Sequence, residues 1–198
     1  MLAAEGIPIN LHLPCIESEA EARVRNTSEV VGRLLALTAV AVKGEGLDRA
    51  SVDRFVRAHD IRRWLSAAEL AFIKVPRPSA HDRLQFSWRY EAAWVLLWAL
   101  RHVDGQLGPP RAICDVASLV RTVRDTNDLA VLGLRPANDI LNEADLIYRC
   151  HWAVREAQLR GKPTPAGLEP GVTMERHHAL NWLIGYCDAD WDDVTTDT

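Results

Sequence analysis

The sequence predicts an all-α fold: one compact helical bundle of about seven helices behind a short extended N-terminal arm. Three observations predict it. Apolar residues recur at helical spacing over most of the chain, sustained two-residue alternation is scarce, and start and stop signals bracket each periodic stretch. The 198 residues suit one domain spanning 1–198. With 48% hydrophobic and 25% charged residues, the chain has enough apolar matter for a core and too little one-sided charge for disorder.

Residues 1–16 form the arm. Their stretch Gly6-Ile7-Pro8-Ile9-Asn10-Leu11-His12-Leu13-Pro14 holds two prolines and partial alternation, which also admits a small β element. Ser18 with Glu21 makes a capping-box pattern, so a helix is expected after it, ending at Gly44 and Gly46. Asp48 caps a second helix through about Ala58. Ser66 with Glu69 opens a third, stopped by Pro76 and Pro78. A long central helix is expected from about Asp82 to Val103. Its middle, Ala92 to Leu100, is apolar on every side and should be surrounded by protein. Pro109-Pro110 breaks the chain. A helix near Ile113–Arg124 follows, then one over Asn138–Arg160. Residues 161–171 hold three glycines and three prolines and read as a loop. The last helix covers about Val172–Tyr186, before an Asp-rich tail.

Composition narrows the partners. The net charge is −4 and no Lys/Arg block stands out, so neither nucleic acid nor an anionic membrane is expected. No run reaches the ~18 apolar residues of a spanning helix, and the N-terminus lacks a signal-peptide pattern. Cys15, Cys114, Cys150 and Cys187 are far apart with no CxxC pair, as in a reduced, cytoplasmic protein. Arginine outnumbers lysine 20 to 3, which follows either from a GC-rich genome or from a use for planar, bidentate donors.

No Walker loop, GxGxxG, GxSxG or HExxH pattern occurs. Gly44-Glu45-Gly46 alone is too short a glycine motif to imply phosphate binding. The tail Asp188-Ala189-Asp190-Trp191-Asp192-Asp193 starts like a calcium loop but lacks its sixth-position glycine and twelfth-position glutamate. No metal and no cofactor is therefore expected, and the aspartates read as turn and cap residues.

The polar residues that need explaining emerge when helices are projected at about 100° per residue. Arg89 falls beside apolar positions, Glu91 beside tryptophans. The two are about 160° apart and cannot pair with each other. His151 and Arg155 share a side with Ile140, Ala144 and Ile147. Glu175 and Arg176 lie among Trp182, Val172 and Leu180. Arg89, Glu91, His151, Arg155, Glu175 and Arg176 form the candidate cluster, with His177, His178 and Asn181 as secondary candidates. By contrast Asn142, Asp145, Arg149, Glu156 and Arg160 make a solvated arc. Two readings fit the cluster: a polar core of Arg–Glu pairs bridging helices, or a pocket where an arginine grips an anion and a histidine moves protons.

The stretches Ser87-Trp88-Arg89-Tyr90-Glu91-Ala92 with Leu97-Trp98-Ala99-Leu100, Tyr148-Arg149-Cys150-His151-Trp152-Ala153, Glu175 to Trp182, and Trp191-Asp192-Asp193-Val194 resemble a bacterial family, domain of unknown function 4272. The resemblance runs from about Gly6 to the end and implies an intact domain ending near its natural terminus. It carries no activity and no catalytic residues.

The expected function is a cytoplasmic binding or interaction module, for a ligand, a protein partner or a second copy of the chain. An enzyme acting on an anionic small substrate is the alternative, with Arg89, Arg155 and Arg176 as clamps and His151 or His177 as acid/base. An immunity or antitoxin role rests on analogy alone.

Overall fold

Asparagine, aspartate and serine side chains start the helices by accepting from backbone N–H groups that the first turn leaves without partners. Asn26, Asp48, Ser66, Ser79 and Asp115 each do so. The computed structural model describes residues 2–198. A 3-10 turn at Leu2–Glu5 leads into irregular chain up to Asn26. The helices are α1 (Thr27–Glu45), α2 (Arg49–Ala58), α3 (Ala67–Lys74), α4 (Ala80–Ser87), α5 (Arg89–Ala99), α6 (Val116–Asp125), α7 (Ala137–Leu159) and α8 (Pro170–Ile184). No strand occurs among the described residues, so the β element admitted near the N-terminus does not form. No described helix is long and apolar enough to cross a membrane.

Two elements differ from expectation. Ser18 and Glu21 do bond, Oγ to Oε2 at 2.6 Å, but they close only a turn. The chain after them is held extended because Arg23 N–H and Arg25 N–H donate to Ile184 O and Leu183 O at the end of α8, at 3.1 and 2.9 Å. The helix starts instead at the capping box of Asn26 and Glu29. The central helix divides at Trp88, and α5 stops at Leu100. Arg101 takes a left-handed φ of 67°. The last carbonyls are then claimed from outside. Arg135 Nε donates to Trp98 O at 2.9 Å, and Arg135 N–H donates to Ala99 O, also at 2.9 Å.

Helices α1, α5, α8 and α7 pack in that order, each against the next, and α4 lies along α1. α1 is also largely enclosed: it buries Val30, Leu34, Leu37, Val40 and nine further residues. Its far side is covered by α2, α3 and the segment between them through Val52, Leu65, Phe72 and Ile73. The N-terminal segment packs Leu2 and Ile7 on Cys150, Ala153 and Val154 of α7. Gly44 lets α1 meet α4 backbone to backbone. A Cβ there would stand 2.7 Å from Arg83 O and 2.9 Å from Ser87 N.

Lys43 shows how a buried charge is held. Its ammonium donates to Phe72 O, Ile73 O and Val75 O at 2.7, 2.6 and 2.8 Å, which uses all three donors. These are carbonyls at the C-terminus of α3, where the helix dipole favours a cation. Burial pushes its pKa down, helped by Arg49 and opposed by Asp53. Lys43→Met keeps the volume and strips three carbonyls of their donor. It is expected to lower stability by about 2–4 kcal/mol in thermal melting. A loss under about 1 kcal/mol would mean that water replaces the ammonium.

Candidate functional site

The start of α5 and the middle of α8 bring four of the candidate charges together. Arg89 Nη1 donates to both Glu175 oxygens, at 3.0 and 2.8 Å. Arg176 Nε donates to Glu91 Oε2 at 3.1 Å. The second oxygen, Glu91 Oε1, accepts from Cys114 N–H at 2.6 Å. Each helix thus contributes one arginine and one glutamate, crossed so that every charge meets its opposite. The helical spacing explains the crossing. Arg89 and Glu91 straddle the line of contact, so each reaches a different one of two adjacent residues on α8.

Burial is uneven. Side chains of Arg176 and Glu91 are 7% and 3% exposed, and Arg89 keeps 26%. Burial raises the pKa of Glu175, and Glu91 raises it further, while Arg89 pulls it down. The Cys114 thiol is likewise pushed up, chiefly by burial.

The histidines fall elsewhere. His151 on α7 meets His177 on α8, Nδ1 to Nδ1 at 2.8 Å, with the rings edge to face. One Nδ1 donates and the other accepts, so the two neutral rings hold opposite tautomers. Burial pushes His151 down to about 4 and His177 to about 3. His178 Nε2 donates to Trp191 O at 3.0 Å, and Asn181 Nδ2 to Thr195 O at 2.9 Å. Both therefore pin the C-terminal segment onto α8. Arg155 does not join the cluster. It is exposed, with Gln158 Oε1 3.3 Å from its Nη1. Its position four residues from His151 carries it past the edge of the α7–α8 contact.

Beside the crossed pairs lies an open cleft of about 520 Å³, with Leu84, Trp88, Ile113 and Val116 on its walls and Glu91 at its base. Leu84 and Ile113 are 58% and 66% exposed, a high value for large apolar side chains. One end is polar: Tyr90 Oη donates to Glu45 Oε2 at 2.6 Å, and Arg83 Nε donates to Gly44 O at 3.1 Å. Sequence reasoning missed Glu45, Arg83 and Tyr90. Glu45 lies in a glycine motif too short to signify alone, and Arg83 acts through backbone carbonyls that no side-chain pattern reveals.

The family model described as Domain of unknown function (DUF4272) matches residues 1–194. No curated protein and no solved structure matches the chain.

Proposed function

We propose that this chain, which belongs to the DUF4272 family, is a binding module that takes a small, mainly apolar ligand in the cleft between α4, α5 and the segment leading into α6. One observation carries the reading. The charges that a catalyst would need are bonded to one another, Arg89 to Glu175 and Arg176 to Glu91, while the apolar wall next to them stays open. At about 520 Å³ the cleft has the volume of a small-molecule site. Its wall of Leu84, Trp88 and Ile113 suits an aliphatic or aromatic body, and Arg83 and the Tyr90–Glu45 pair offer hydrogen bonds to one polar end. The crossed ion pairs serve as the frame that fixes α5 against α8. A cytoplasmic setting agrees with four free thiols, two of them buried.

Titration with the neutral probe N-phenyl-1-naphthylamine tests the reading by fluorescence. Saturable one-to-one binding is expected, weakened at least about tenfold by Leu84→Glu. Leu159→Glu, at a leucine 77% exposed on α7, should leave it unchanged. Equal binding by the two variants overturns the proposal.

A further inference from the structure

A second cleft, of about 610 Å³, opens between α7, the N-terminal segment and the loop after α5. Glu143 of α7 lines it. This residue is only 4% exposed, and its Oε2 has no hydrogen-bond partner. Leaving a buried carboxyl oxygen bare is costly, so a native structure that keeps one needs a reason.

The neighbouring charges supply no answer. Arg149 is taken by Asp145, with Nε to Oδ2 at 2.7 Å and Nη2 to Oδ1 at 2.9 Å. Arg135 stacks on Trp98, 4.7 Å from the ring centroid. It spends its Nε on Trp98 O and its Nη2 on Val103 O. Asp139, one turn before Glu143 and on the same face, is exposed and also lines the cleft. What faces the cleft is therefore rich in acceptors, with apolar wall from Leu2, Ile9 and Leu146.

We infer that this cleft binds a small primary amine, its ammonium group pairing with the Glu143 carboxylate and donating to Asp139, and its apolar body lying against Leu2, Ile9 and Leu146. The charge balance supports a cation. With Arg149 and Asp145 cancelling, Asp139 and Glu143 outnumber Arg135 among the lining residues. The ammonium brings positive charge and donors and no acceptor, which suits a carboxylate with one oxygen unpartnered. Burial raises the Glu143 pKa, against the pull of backbone N–H groups of Gly108 and Leu107 and of Arg176 and Arg135. Seating a cation beside it reverses that penalty, so binding drives any proton off the carboxyl and into solvent.

Isothermal titration with phenethylammonium chloride tests this. One-to-one binding is expected, with affinity rising with pH as Glu143, raised above the usual carboxylate range by burial, gives up its proton. Heats measured in buffers of different ionisation enthalpy should report proton release at the lower pH. Glu143→Gln, isosteric and confirmed folded by its thermal melt, should weaken binding at least about tenfold and abolish the proton release. Leu84→Glu, in the other cleft, should change neither. The inference is overturned by undetectable binding at millimolar amine, by equal affinity in Glu143→Gln, or by equal affinity for the uncharged 2-phenylethanol. Loss of binding in Leu84→Glu would move the amine to the first cleft and also overturn it.

Discussion

Glu91→Leu is expected to cost about 3–5 kcal/mol of folding stability, because it leaves a buried charge without its opposite. The substitution removes the acceptor of Arg176, whose side chain is only 7% exposed, and of Cys114 N–H, which bonds Glu91 at 2.6 Å. The buried guanidinium then loses its counter-charge, keeping only a 3.5 Å bond from Nη2 to Ala112 O, and a buried amide loses its acceptor. The partner substitution separates lost attraction from uncompensated burial. Glu91→Leu with Arg176→Met removes both charges and should recover much of the loss, because an apolar pair of similar volume carries no desolvation penalty. Glu175→Leu should cost less, since Arg89 keeps 26% of its side chain in solvent and can hydrate there. Urea denaturation at neutral pH measures all four proteins. A loss under about 1 kcal/mol for Glu91→Leu would show that the crossed pairs are not the frame of the α5–α8 contact.

Acid is expected to unfold the protein through its buried histidines. His151 and His178 sit near 4 and His177 near 3, each chiefly through burial, against an ordinary value of 6.5. Below 6.5 the unfolded chain binds protons that the folded chain refuses. The stability they confer is whole above pH 6.5 and is lost as pH falls toward 4. For the His151–His177 pair the loss from pH 7 to pH 5 amounts to about 4 kcal/mol. Glu143 and Glu175 act the other way. Their raised pKa values mean that the folded state gains protons first, so they soften the acid loss. Comparing His151→Leu/His177→Leu with the parent isolates the imidazoles. The double variant should lose distinctly less stability between pH 7 and pH 5. Identical pH slopes would refute the assignment.

Local signals read well in this sequence because their causes are local. Ser66 with Glu69, and Asp48, mark helix starts through hydrogen bonds that span three residues, and the proline-rich breaks mark ends because proline lacks the N–H a helix needs. The same logic failed at Ser18–Glu21. That pair is made, but a longer-range tie to α8 holds the chain after it extended.

The candidate site divides along the same line. Angular spacing alone shows that Arg89 and Glu91 cannot pair with each other, and it puts Glu175 and Arg176 at helix positions that need partners. Which arginine meets which glutamate depends on the crossing of α5 over α8. So does the meeting of His177 with His151, which lie on different helices. Arg155 shares a turn with His151, yet the edge of the helix contact leaves it in solvent. Glu143 sits one residue from a polar arc, and nothing in its neighbours in sequence reveals that the chain folds over it.

Sequence by itself therefore determined the helices, most of their approximate ends and some of the charges that are buried, Glu91, Glu175 and Arg176 among them. Periodicity and capping act within one or two turns. Tertiary structure alone decided the pairings, the break at Trp88 and the two open clefts. Those depend on where separate helices cross, and no repeat along a single helix records the crossing.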